Sequence, residues 1–214
     1  MTLFTPINYP EHLRRKSNYY EFYSIKNKRN MQVYGTYAYY YSLILELDCN
    51  IISYCEYPFE VLLAVSGKKP YKTIFDFGVI DSLNNKIIHN FYSNTSKAKE
   101  NSYHEERWCK ENDFLYKAIN KDDICANSYY LYNLKFLYGM LKRASEPIYI
   151  RYLNMLLNSP LKEGNTIQQL VSQLDITMID LYKVVALGLT TGQLTLSLKD
   201  NLVNYNMEVR KIML

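Results

Sequence analysis

The residues with the clearest chemical potential lie in KTIFDFGVIDSLNNKIIHNFYS, Lys72 to Ser93. Asp76 is a lone acid in a β-branched and aromatic run, Thr73 to Ile80, that reads as a strand. DSLNNK then supplies turn residues, and IIHNF resumes an apolar alternation. A carboxylate on one strand of a hairpin, with an acid and a lysine on the next, suits metal-dependent cleavage of a phosphodiester. The carboxylates hold a divalent ion that activates water, and the lysine offsets charge on the phosphate. Here the second strand offers His89 and Phe91 instead. Asp76 alone leaves Mg²⁺ with one carboxylate plus waters, and His89 suits Mn²⁺ better than Mg²⁺. Each residue also has a structural reading: Asp76 capping a turn or pairing with a cation, and His89 as a satisfied, half-buried histidine.

Other candidates carry less. Lys86 falls on the face opposite His89 and Phe91 by alternation, which leaves Lys97 and Lys99 as the nearer substitutes for a missing lysine. HEER, His104 to Arg107, lacks the second histidine of a zinc-protease motif and reads as a solvated helix face. Cys55 and Cys109 have no histidine spaced to activate them. The four cysteines contain no CxxC pair and are too few for a disulfide framework. With only three histidines, a structural zinc site is not expected either.

The elements that must position these residues follow from pattern. TYAYYYSLILELD, Thr36 to Asp48, is apolar all round and reads as a buried helix. IISYCEYPFEVLLAV reads as one or two strands interrupted at Pro58. The hairpin around Asp76 comes next, then a charged helix KENSYHEERWCKEND and a final strand FLYKAIN. The order helix, strands, helix, strand predicts a mixed α/β core over residues 31–127. Residues 128–214 turn helical. SYYLYNLKFLYGMLKR is amphipathic, and EPIYIRYLNMLLNSP opens with Pro147 in its first turn and stops before Pro160. Asn165 or Thr166 can cap IQQLVSQL, the link DIT leads to MIDLYKVVALGLTTG, and Gly192 precedes the alternating QLTLSL. Helix, short turn, helix, glycine and strand describe a winged helix.

Charge is concentrated at the N-terminus. Arg14, Arg15, Lys16, Lys26, Lys28 and Arg29 face only Glu11 and Glu21 within residues 1–30, which accounts for the whole net charge of +4. Extended or irregularly packed, and interleaved with Tyr19, Tyr20, Phe22 and Tyr23, this segment is either a phosphate-binding strip or a solvated charged one. From Pro160 onward five Lys or Arg balance five Asp or Glu, and Lys183 is the single cation on the second winged-helix helix, opposed by Asp180. That balance favours a protein-docking winged helix over a DNA-reading one. No apolar run approaches the roughly 20 residues of a bilayer span, and the N-terminus lacks an apolar signal core, so a reduced cytoplasmic protein without a membrane partner is expected.

Taken in order, these features resemble the TnsA endonuclease subunits of heteromeric cut-and-paste transposases. YSIKNKR, Tyr23 to Arg29, is similar to the family's Y-S-x-K-x-x-R opening. LILELDCNIISYCEYPFEV, Leu43 to Val61, is similar to its helix end, link and E-Q-P-F stretch, with Glu56 at the glutamate. TIFDF matches its T-x-D-F strand, and EERWCKEN its tryptophan-bearing helix. The resemblance implies a restriction-endonuclease-like mixed-sheet core with a basic N-terminal segment and a C-terminal α-helical winged-helix domain. It implies transposon-end DNA, a DDE-type transposase subunit and an AAA+ ATPase regulator as partners, in a bacterial cytoplasm. It also implies a degenerate site. The family's first glutamate, eight positions before Glu46, falls on Ala38; Asp76 is kept; the E/Q-x-K pair falls on His89 and Phe91. The expected function is therefore a catalytically silent DNA- and partner-binding scaffold that needs no cofactor. The alternative is an active endonuclease with a rearranged site using Asp76, His89, a displaced lysine and Mg²⁺ or Mn²⁺.

Overall fold

A computed structural model describes residues 4–64, 69–144, 146–158 and 165–212, the side chains of Lys97 and Lys99 excepted. The chain is a mixed α/β protein that divides into two compact units: Met1–Ser42 with Asn50–Ala126, and Leu43–Cys49 with Asn127–Leu214.

The first unit opens with a short helix α1 (Glu11–Arg14) and an antiparallel hairpin of β1 (Tyr19–Ser24) and β2 (Arg29–Tyr34). From Tyr19 the basic segment is extended, and strict alternation buries Phe22, Ser24, Met31 and Val33 on one side of the hairpin. Helix α2 (Thr36–Leu47) follows Gly35, whose φ of +96° turns the chain out of β2. Strand β3 (Ile51–Glu56) and strand β4 (Glu60–Leu63) flank Pro58, as the missing N–H requires.

Strands β5 (Tyr71–Ile74) and β6 (Phe77–Asp81) divide the run from Thr73 to Ile80 that reads as one strand. β5 pairs with β4 in a separate ribbon, whereas β6 enters a four-stranded sheet ordered β3-β6-β7-β8, with β7 (Lys86–Tyr92) and β8 (Leu115–Asn120). The change of sheet falls at Phe75 and Asp76. The β6–β7 turn is held by Asp81, whose carboxylate accepts from the N–H groups of Leu83 and Asn85 at 2.9 and 2.8 Å, with Asn84 left-handed. β7 and β8 are parallel and joined by helix α3 (Ser96–Glu111), capped by the Thr95 hydroxyl. A short helix α4 (Lys121–Cys125) leaves the end of β8.

The second unit holds α5 (Ser128–Leu141), α6 (Pro147–Asn158), β9 (Asn165–Thr166), α7 (Ile167–Leu174), α8 (Met178–Thr190), β10 (Leu194–Leu196) and β11 (Glu208–Lys211). Thr166 rather than Asn165 caps α7, in a full capping box with Gln169. Asp175 ends α7 in the left-handed region and Thr177 caps α8. Gly192, at φ +70°, turns the chain into β10. That strand does not stand alone: β11 pairs with it and with β9 in a three-stranded sheet. Leu153, Leu156, Ile167, Leu170, Leu181, Val184, Val185, Leu194 and Val209 form this unit's buried core. The stop expected at Pro160 lies outside the described residues. Among the described residues no helix is long and apolar enough to cross a membrane.

Candidate functional site

Asp76 sits where the chain changes sheets, and three hydrogen bonds fix it. Its N–H donates to Asn90 Oδ1 at 3.1 Å, its Oδ2 accepts the Phe91 N–H at 2.7 Å, and its carbonyl accepts the Tyr57 N–H at 3.0 Å. Side-chain groups thereby continue the β6–β7 ladder one step beyond its last paired residues, Phe77 and His89. Burial lifts the Asp76 carboxyl to about 7, against the downward pull of the Phe91 N–H and of Lys121 at the start of α4; Glu105 adds to the rise.

This register corrects the pairing expected from sequence. Phe77 lies opposite His89, so the residue beside Asp76 is Asn90, and His89 and Phe91 belong to the other face of the sheet. Lys86 shares the Asn90 face but is four residues away, about 13 Å along the strand, and exposed. The side chains of Lys97 and Lys99 lie outside the described residues.

The Asn90 face carries a polar network. Asn90 Nδ2 donates to Glu105 Oε2 at 2.8 Å, the Tyr116 hydroxyl donates to the same oxygen at 2.7 Å, and the Thr73 hydroxyl donates to Oε1 at 3.1 Å. Glu105 is buried, which overturns the reading of HEER as a wholly solvated face; Glu106 and Arg107 remain exposed. The signal was available in the helical spacing, since Glu105 shares a face with the buried Cys109 and with Trp108.

The opposite face is aromatic. Tyr41, on α2, meets Phe91 edge-on at 5.4 Å and Phe77 at 5.7 Å, and the Tyr41 hydroxyl and His89 Nδ1 are 2.9 Å apart. His89 is 2% exposed and its Nε2 has no hydrogen-bond partner. Burial, with Lys117 adding to it, pushes the imidazole down to about 3, so it is neutral at physiological pH. Ala38, one helical turn before Tyr41, is buried in the same helix and offers no donor.

These surroundings do not fit a divalent metal ion. Among the described residues no three His, Cys, Asp or Glu side chains converge. Glu105 already accepts three hydrogen bonds, and His89 is closed off from Asp76 by the sheet itself. The buried thiols fare no better as nucleophiles: burial pushes Cys55 and Cys109 each up to about 12.

The N-terminal cations separate into two groups. Arg29 forms a two-pronged pair with buried Glu56, Nη1 to Oε1 at 2.8 Å, and Glu56 Oε1 also accepts the Gln32 N–H at 3.3 Å. Lys26 donates to the Ile51 carbonyl at 2.6 Å, while Arg14 donates to the Tyr9 carbonyl and lies 5.4 Å over the Tyr34 ring. Those three are occupied within the fold. Arg15, Lys16 and Lys28 are exposed, Arg15 in a surface pair with Glu11 and Lys28 at the left-handed hairpin tip. In the second unit Lys183 is held by the Tyr149 hydroxyl and by Asp180 at 3.1 Å.

Compared with known proteins, the chain matches no family model, and no curated protein is significantly similar to it.

Proposed function

We propose that this chain is a TnsA-like subunit of a DNA transposition complex that has lost cleavage and acts as a DNA- and partner-binding scaffold. The observation that carries the reading is the environment of Asp76. Its neighbours are an amide side chain, Asn90, and a backbone N–H, where a nuclease of this kind needs a second carboxylate and a lysine. The motif order from YSIKNKR to EERWCKEN supports the family, with a restriction-endonuclease-like core in the first unit. The capped helix pair α7–α8 and the strands β10 and β11 support a winged helix in the second. With Lys183 engaged, that domain suits protein docking: Ile150, Met155 and Leu174 line an open groove, and Ile148 and Ile179 are exposed. The partners of this reading are transposon-end DNA, a DDE-type transposase subunit and an AAA+ ATPase.

A second reading, an active endonuclease with a rearranged site, draws on one observation: Lys121 lies close enough to Asp76 to pull its carboxyl down. His89 drops out of that reading because it is buried on the other face. The deciding experiment is nicking of a supercoiled plasmid bearing candidate transposon ends, with Mg²⁺ and Mn²⁺ tested separately and partner subunits added. Bound but intact plasmid is the expected result. Nicking that disappears in both Asp76→Ala and Lys121→Ala would overturn the scaffold reading in favour of the second.

A further inference from the structure

We infer that the outer face of the β1–β2 hairpin is a stacking platform for unpaired bases of single-stranded DNA. The inference rests on the scaffold reading only in taking DNA as the partner. Register sets Tyr19 opposite Tyr34, Glu21 opposite Gln32 and Tyr23 opposite Asn30, all on the side away from buried Phe22, Met31 and Val33. Two of the rings are open to solvent, Tyr19 at 51% and Tyr23 at 40%. They lie four residues apart, about 13 Å along the strand. Tyr34 is already part of an aromatic row: Tyr9 stacks on it at 5.2 Å and 8°, and Tyr19 leans on it at 5.5 Å. An ordered row of rings ending in an exposed tyrosine presents a π-face with little left to immobilise, and bases of any sequence can stack on it.

Charge decides where the backbone of the strand would run. The exposed cations stand at the two ends of the hairpin, Arg15 and Lys16 before β1 and Lys28 at the tip. The centre of the face carries Glu21, whose carboxylate accepts from the Tyr19 hydroxyl at 2.7 Å and from Asn30 Nδ2 at 3.2 Å. A two-stranded ribbon can also enter a duplex major groove, but there phosphates flank both of its edges and a central carboxylate is repelled. A single strand with bases over the tyrosines and phosphates at the ends meets the cations and avoids Glu21.

The test is fluorescence anisotropy of the full chain with labelled oligo-dT and with a labelled duplex of the same length, at low salt. Tyr19→Ala and Tyr23→Ala are each expected to weaken oligo-dT binding about tenfold while leaving duplex affinity unchanged. Tyr19→Phe and Tyr23→Phe retain the ring and are expected to bind oligo-dT like the parent. Unchanged thermal melting of all four variants separates lost stacking from lost folding. Duplex binding without oligo-dT binding, or alanine variants that lose neither or lose both alike, would overturn the platform and leave the scaffold reading standing. Binding to neither probe would overturn both.

Discussion

Glu105 gathers three donors, from Thr73, Asn90 and Tyr116, and through Asn90 it braces Asp76. Replacing it with alanine strands those donors in a buried site, so Glu105→Ala is expected to cost about 3 kcal/mol in urea unfolding, whereas exposed Glu106→Ala should change stability by less than about 0.5 kcal/mol. His89 makes a pH prediction on the sheet's other face. Its folded value near 3 lies below the ordinary 6.5, so the unfolded chain takes up the proton first. The stability it contributes is therefore complete above about pH 6.5 and is lost on acidification, by up to about 1.4 kcal/mol per pH unit. Asp76 works in the opposite sense: lifted from 3.8 to about 7, its contribution is complete below 3.8 and is lost as pH rises through 7. Unfolding curves for the parent and His89→Phe between pH 4 and 7 isolate the histidine, and parallel curves would refute its titration as a source of acid lability. Residue types alone drew attention to Asp76 and His89, but not to their separation. That depends on a one-residue register, which flips every side chain and has no local signature in the sequence.

At the scale of elements, most of the chain was legible because its punctuation is local. Pro58, Pro147, Thr166, Thr177 and Gly192 each mark a boundary that the folded chain uses. The hairpin β1–β2 was missed, since its cations and tyrosines mask a plain two-residue alternation. β11 was missed too: it is short, and its pairing with β10 and β9 spans loops that local pattern does not see. Two substitutions test these elements. Thr166→Ala removes the hydroxyl half of the capping box, leaving the backbone N–H bond to Gln169 Oε1, and is expected to cost about 1 kcal/mol. Gly188, on α8, lies against buried Leu194, and a Cβ there would meet its side chain at 2.4 Å. Gly188→Val is expected to destabilise by about 1–3 kcal/mol, measured by thermal or urea unfolding, and an unchanged midpoint would show that β10 is free to move away.

Over the whole molecule, the net charge of +4 overstates what is available to bind a polyanion. Half of the N-terminal cations are occupied by Glu56, by backbone carbonyls and by Tyr34, a distinction invisible in composition. The triple variant Arg15→Glu, Lys16→Glu, Lys28→Glu is expected to weaken oligo-dT binding more than tenfold and to reduce the salt-dependence slope by about 2, which a salt titration of the mobility shift would measure. Arg29→Glu is a poor substitute for that test. It opposes a buried glutamate and is expected to unfold the hairpin instead.

Helix α2 belongs to both units: its first residues fold with one and Leu43 to Leu47 with the other. The second unit thus borrows a stretch encoded far upstream, where Ile44 and Leu47 line a 250 Å³ hollow with Leu134, Leu189, Leu194 and Leu198. A gene fragment starting at Asn127 would encode every helix from α5 onward and still omit one wall of that hollow. Such a fragment is expected to aggregate on expression, and to regain solubility when residues 43–49 are supplied in cis through a linker. Recombination between relatives would meet the same obstacle, since no single crossover point transfers the second unit without most of the first.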